Sequence, residues 1–198
     1  MAGEAKLTFH PNQVVATFLL SASNRDQAAA KKAEEEKLGK LVAACRAVGV
    51  EPRNMTINDL GLQPEYRGNE VTGYVANRSI VLTLTDMAKV DEALTAAVKS
   101  GAAQAGQVML TNTEHQAWET KARVAASTIA RERAKGVVEA IGAKLGLPSG
   151  FQDRTSSIET IAAGTFAVLP DGSVNSGFAL RELTASSSVT VQFDMDSP

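Results

Sequence analysis

The sequence predicts an α+β fold in which helices pack on one face of a mainly antiparallel sheet. Three observations favour this class: segments of strict two-residue alternation, Ala-, Lys- and Glu-rich segments with apolar residues at helical spacing, and turn residues between them. The order along the chain is β-α-β-β-α-β-α-β-β, and strand pairs separated by helices are typical of such folds. Because no long linker interrupts the 198 residues, we expect one domain over residues 1–198.

The first elements are a strand and a helix. Residues 13–22 alternate and are rich in β-forming types, which predicts a strand. Residues 25–48 carry apolar side chains at helical spacing, so we expect an amphipathic helix that starts at Ser23 or Asn24 and ends before Gly49. The acidic run "EEE" in this helix is interpreted as a solvated face, paired with lysines one turn earlier, as in Lys32–Glu36.

Two antiparallel strands are predicted next, over residues 54–62 and 72–85. The segment "QPEYRGNE" between them contains Pro64 and Gly68, which are turn residues, so we interpret it as a connection. In the second strand, two-residue alternation places six residues on one face: Tyr74, Ala76, Arg78, Ile80, Leu82 and Leu84.

The second half begins with a short helix capped by Thr85 or Asp86, which ends at Gly101, and with a strand over 105–111. A long helix over 114–145 follows. We expect it to be capped by Thr113 and to stop at "KLGLP", with Gly146 in the left-handed conformation and Pro148 beyond it. Its alanines recur every fourth residue, which permits close packing against another element: Ala122, Ala126, Ala130 and Ala134.

The C-terminal part is predicted to be β-structure. We expect a strand over 154–162, a Pro-Asp-Gly turn at 170–172 and a strand over 188–196. The last strand lacks proline and lysine, so we predict an unprotected edge strand that pairs with a second copy. Its alternation puts four residues on the buried face: Val189, Val191, Phe193 and Met195.

Composition excludes several classes of function. The formal net charge is -2 and aromatic residues make up 5% of the chain, which argues against nucleic acid as a partner. No run of about 18 apolar residues exists, so we expect no transmembrane helix. The first residues lack a basic segment followed by an apolar one, so we expect no secretory signal in this sequence.

No catalytic or metal-binding motif is found along the sequence. We therefore expect no enzyme, no cofactor and no metal, and we interpret Cys45 as a buried structural thiol on the apolar side of the first helix. Asp194 and Asp196 are interpreted as a solvated strand face. One alternative stays open, in which His115 and Trp118 at the start of the long helix form a pocket for a small molecule or a substrate.

The order and spacing of several features resemble the SIMPL domain family. The family has a loop with Pro and Tyr, a Tyr-x-Ala strand, an Asp that opens a helix ending in Gly, an Ala-rich helix and an amphipathic last strand. The matching segments are "LQPEYRGNEVTGYVANRSIVLTLTD", "KARVAASTIARERAKGVVEAIGAKLG" and "SSSVTVQFDM". The resemblance covers about residues 7–195. The named features here are Pro64, Tyr66, Tyr74, Ala76, Asp86 and Gly101.

Two departures from the family pattern are found. Asn12 stands where Asp is expected, and little precedes it, so we expect the first strand to be short or missing. The segment 163–178 matches nothing and is interpreted as a variable connection.

The resemblance implies a bacterial protein that is periplasmic or associated with the envelope or outer membrane. Relatives include periplasmic immunogenic proteins and oxidative stress defence factors, and some form ring- or channel-like homo-oligomers. The family has no established catalytic residues. We therefore expect a non-enzymatic homo-oligomer; a cytoplasmic stress protein is the alternative location. The residues that we expect to make contacts are Val189, Val191, Phe193 and Trp118.

Overall fold

The structure is a computed structural model that describes residues 1–104, 108–159, 161–162, 166–168, 174–176 and 181–196. Antiparallel pairing in its sheets confirms the α+β class. Its helices are α1 (Gln27–Ala47), α2 (Val90–Lys99) and α3 (His115–Ala140). Its strands are β1 (Ala2–Phe9), β2 (Gln13–Asn24), β3 (Met55–Ile57), β4 (Gly61–Arg67), β5 (Glu70–Leu84), β6 (Ala103–Gln104), β7 (Met109–Thr111), β8 (Lys144–Glu159), β9 (Ile161–Ala162), β10 (Phe166–Val168), β11 (Val174–Ser176) and β12 (Leu183–Asp196).

Two compact units divide the chain. Unit 1 comprises Met1–Pro11, Asn112–Ile161 and Glu182–Pro198, and unit 2 comprises Asn12–Thr111 and Ala162–Arg181. Each unit contains antiparallel strands and at least one helix. The expectation of one domain over the whole chain stays a prediction.

Unit 2 is built on the long antiparallel pair of β2 and β5. Beyond β5, β3 and β4 add further strands, while β6 and β7 pair with the other side of β2. Helix α1 packs on β2 and β5, and α2 packs on α1. The alternation predicted for both strands is confirmed, since their inward residues are buried apart from the partly exposed Tyr74 and Arg78.

The structure corrects two predictions about unit 2, which concern the start of α1 and the turn between β4 and β5. Helix α1 begins after Asp26, whose carboxylate accepts a hydrogen bond from the Ala29 amide at 2.8 Å, so the prediction of Ser23 or Asn24 as its cap is wrong. The interpretation of "QPEYRGNE" as a connection is wrong for most of its length, although Gly68 does lie in the turn between two antiparallel strands. Pro64 lies inside β4, and the turn consists of Gly68, with φ of 65°, and Asn69. A proline is tolerated there because its missing N–H can face away from the partner strand.

Unit 1 is a three-stranded antiparallel sheet in the order β1-β12-β8, with α3 packed on one face. The alanines that recur every fourth residue of α3 are buried against it, as the sequence predicted. On the sheet side, Gly3 of β1 lies so close to α3 that there is no room for a side chain. A Cβ atom at Gly3 would overlap the Ala126 carbonyl oxygen and lie 2.7 Å from the Ala130 nitrogen.

Two predictions about α3 are wrong. The helix ends at Ala140, before Gly142 with φ of 78°, and not at Gly146. Strand β8 begins at Lys144, so the segment "KLGLP" is strand. The N-cap is Glu114 rather than Thr113. The alternating apolar residues after Gly142 are the signal of this strand.

The edges of the unit 1 sheet also differ from the prediction. Strand β12 lies between β1 and β8, so the expectation that 188–196 is an edge strand is wrong. The expectation of a short or missing first strand is wrong too, because β1 covers eight residues and pairs with β12 along its length. The predicted turn at 170–172 and part of the connection 163–178 lie outside the described residues.

Candidate functional site

A groove of about 510 Å³ lies between α3 and the sheet of unit 1. Strand β8 forms one wall with Pro148, Gly150 and Phe151, and the end of β12 forms the floor. Helix α3 supplies Arg131 at the other wall. Ser127 of α3 and Ser149 of β8 complete the lining of the groove. Its volume lies in the range of ligand pockets, which is about 300–1,000 Å³.

Apolar side chains are exposed beside this groove. Phe151 is 58% exposed, Leu147 is 79% exposed and Met195 is also exposed. The register of β8 and β12 places them at one end of the sheet, since Val191 pairs with Phe151 and Met195 pairs with Leu145. Phe151 lines the groove, and Leu147 and Met195 lie within two residues of the lining residues Pro148 and Phe193. Exposed apolar residues close to a groove mark a candidate interaction site.

Strand β8 is an edge of this sheet. In the described part of the chain its only sheet neighbour is β12, so one row of its backbone N–H and C=O groups is unpaired within the sheet. Unpaired edges template pairing with another strand. A free edge next to an apolar groove is the arrangement used in recognition by strand addition.

The predicted contact residues lie in two places. Val189 is buried in the core between α3 and the sheet, whereas Val191 and Phe193 line the groove. Trp118 is separate from both: it is half-buried at the start of α3 and stacks on Phe9, with ring centroids 4.5 Å apart. Their role in contacts with other molecules stays a prediction.

The surroundings of Trp118 bear on the open alternative of a pocket near His115. The Nζ atom of Lys121 lies 4.1 Å from the centre of the Trp118 ring, which Phe9 also contacts. His115 is exposed at the helix start. Contacts within the chain thus explain why an aromatic residue stands at Trp118.

A buried ion pair in unit 2 was missed by the sequence interpretation. Glu34, assigned to a solvated face, is fully buried, and one of its oxygens lies 3.2 Å from Nε of Arg78 on β5. Burial raises the pKa of Glu34 above its ordinary value of 4.5, and the guanidinium of Arg78 opposes this rise. The signal was present, because Glu34 falls on the same helical stripe as Ala30 and Leu41.

The raised pKa predicts how stability depends on pH. Folding strengthens proton binding to Glu34, so its contribution to stability is fully present below pH 4.5 and is lost as the pH rises through the folded-state pKa. We expect the free energy of unfolding, taken relative to Glu34→Gln, to fall over that interval and then level off. Urea denaturation of both proteins from about pH 4 to 7 measures this. A difference that is constant or rises with pH would contradict it.

Cys45 is buried in α1, as predicted from its place on the apolar stripe. Burial raises the pKa of its thiol to about 11, so little thiolate is present at neutral pH. We expect a thiol reagent to label the native protein at least about a hundredfold more slowly than the protein in denaturant. Equal labelling rates in both conditions would show an exposed, reactive thiol.

Within the described ranges, no three metal-ligating side chains lie together in a group that could hold an ion. Among the helices described, none has the length and apolar character needed to cross a membrane.

Comparisons with known proteins agree with the resemblance. The family model SIMPL, described as a protein of unknown function (DUF541), matches residues 1–193. The 26 kDa periplasmic immunogenic protein of Brucella melitensis biotype 1 is 26% identical over 210 residues, which cover 98% of this chain and 83% of the relative.

Two proteins called uncharacterized protein YggE are also similar. That of Edwardsiella ictaluri is 26% identical over 150 residues, and that of Escherichia coli K12 is 25% identical over 149 residues. Each match covers 73% of this chain, but it spans only 63% and 61% of the respective YggE protein. None of the relatives named here has an enzyme name.

Proposed function

The chain belongs to the SIMPL family, and from this premise we propose that it is a non-enzymatic cell-envelope protein that assembles with further copies of itself. The name of the Brucella relative, a periplasmic immunogenic protein, supports an envelope location. We propose the periplasm as the location of this chain. Fractionation of the native host with an antibody against the chain tests this; recovery with the cytoplasmic fraction would favour the alternative of a cytoplasmic stress protein.

The observation that carries self-association is the apolar groove beside the free edge of β8. Covering Phe151 and Leu147 would remove apolar surface from water, which is favourable by about 25 cal/mol per Å². A strand laid along the part of β8 that follows Pro148 would also satisfy its unpaired backbone groups, whereas Lys144 and Pro148 limit such pairing at the start of β8. The formal net charge of -2 opposes association between copies only weakly.

A charge placed in this surface should abolish assembly. We expect Phe151→Asp to convert an oligomer into a monomer of 20.8 kDa, because burial of an unpaired carboxylate is costly. Light scattering coupled to size exclusion measures the mass. Val124→Asp is the matched control, since Val124 is equally exposed but lies on α3 away from the groove lining. An unmodified protein that stays at 20.8 kDa over a tenfold concentration range would refute the assembly.

A ring- or channel-like assembly linked to oxidative stress defence is the finer form of this proposal. It is supported by the family resemblance alone. Electron microscopy of the assembled protein tests the ring, and an open chain of subunits would contradict it. Survival of a deletion strain in peroxide, with and without a plasmid that restores the gene, tests the role in stress defence.

A further inference from the structure

The hairpin of β4 and β5 ends in a segment that no other described part of the chain covers. Every residue from 63 to 72 is exposed, although the strands still pair as far as Arg67 and Glu70. Strand β2 pairs with β5 only from Tyr74 onward, so the hairpin tip, residues 63–72, is a ribbon of two strands. A two-stranded ribbon is marginally stable in water, so it would gain stability from contact with another surface.

The hairpin tip carries an exposed apolar pair. Tyr66 and Val71 are directly opposite each other across the two strands, so their side chains lie side by side on one face. Tyr66 is 64% exposed and Val71 is 49% exposed. Exposed aromatic and β-branched neighbours of this kind are typical of residues that are buried on binding, where tyrosine is enriched.

The hairpin tip and the groove also have opposite charge. Glu65 precedes Tyr66 and forms no ion pair among the residues that the structure describes, and the residue opposite it is Gly73. Residues 63–72 contain two glutamates and one arginine, which gives a charge of -1. Arg131 is the charged residue of the groove lining, and it too has no ion-pair partner within the described ranges.

We propose that the hairpin tip of one copy occupies the groove of unit 1 in a second copy. Tyr66 and Val71 would fill the apolar space beside Phe151 and Phe193. Glu65, which alternation along β4 places on the other face of the ribbon, would meet Arg131 at the opposite wall of the groove. Apolar burial supplies the affinity, and the pairing of charges fixes the orientation. This inference rests on the proposed function, because it names the segment that fills the groove during assembly.

Each copy carries one hairpin tip and one groove, so the contact is heterologous. Repeating a heterologous contact gives a ring when its rotation closes and a filament when it does not. Assembly through this contact therefore need not stop at a dimer, in contrast to an interface in which β8 pairs with β8 of a partner.

Charge exchange tests the pairing of the two surfaces. We expect Arg131→Glu and Glu65→Arg each to weaken assembly about tenfold, and the double variant to recover within about threefold of the unmodified protein. Sedimentation velocity over a dilution series measures the assembly constant. Lys32→Glu is the control, because it makes the same charge change as Arg131→Glu at an exposed position of α1.

The apolar part is tested by Tyr66→Ser, which should weaken assembly at least about tenfold while the free energy of unfolding changes little. If the protein assembles but neither Tyr66→Ser nor the charge exchange alters assembly, the hairpin contact is wrong and the proposed function stands. Weakening by both single charge variants without recovery in the double variant also overturns the pairing. A protein that never assembles overturns both proposals.

Discussion

Replacing Gly3 with alanine is expected to lower the free energy of unfolding of unit 1 by about 3 kcal/mol or more. The added methyl group would overlap the carbonyl oxygen of Ala126 and approach the nitrogen of Ala130. Both are backbone atoms of α3, so no side chain can rotate away. Either the helix moves from the sheet, with loss of the contacts of its buried alanines, or β1 separates from β12.

The same substitution at Gly136 is the control for Gly3→Ala. Gly136 lies in α3, and a methyl group there meets nothing within 4 Å. Gly136→Ala should therefore stabilise the protein by about 0.5–1 kcal/mol, the usual gain for this change inside a helix. Urea denaturation followed by circular dichroism gives both values. Equal effects at the two positions would show that α3 does not approach β1 closely.

Replacing Arg78 with methionine is expected to cost about 3–5 kcal/mol, because it leaves the buried carboxylate of Glu34 without a partner. Glu34 is completely buried and Arg78 is 17% exposed, so water cannot replace the lost charge at Glu34. The variant should also lose stability more steeply as the pH rises, because removal of the guanidinium raises the pKa of Glu34 further.

The double variant Glu34→Leu with Arg78→Met distinguishes the cost of losing one partner from the cost of losing the whole ion pair. Because both charges are removed, we expect most of the lost stability to return. A double-mutant cycle from denaturant midpoints gives the coupling energy between the two side chains. If the two single changes were additive, Glu34 and Arg78 would not interact in the folded protein.

The local pattern of side chains predicted which segments form helices and strands better than it predicted which strands pair with each other. The buried faces of the strands around Val14 and Val189, and the alanine stripe of α3, depend on side chains a few residues apart. Partners in a sheet depend on residues far apart in sequence. The position of β12 between β1 and β8 therefore could not be derived from its own residues, although its lack of edge protection agrees with a central place.

The candidate site, too, could be predicted only where it depends on residues close together in the sequence. Val191 and Phe193 were selected from the sequence and line the groove, yet the walls were missed. Arg131 reads as one of several charges on a helix, and Phe151 precedes the predicted strand 154–162. Only the observed register, in which β8 starts at Lys144, brings these residues together. The ion pair of Glu34 and Arg78 could have been predicted more easily. Each is a charged residue at a position where the pattern of its own helix or strand calls for an apolar one.

The pairing of β1 with β12 has a consequence for the order of folding. Ala2 pairs with Thr190, so this sheet closes a loop of most of the chain, whereas β2 and β5 are separated by far fewer residues. Long-range closure is slow because its entropy cost precedes its contacts. Among the strands that the structure describes, β1 pairs with β12 alone, so during synthesis it waits for β12 to emerge. Unit 2 can fold in that interval, while β1 stays available for chaperones to bind.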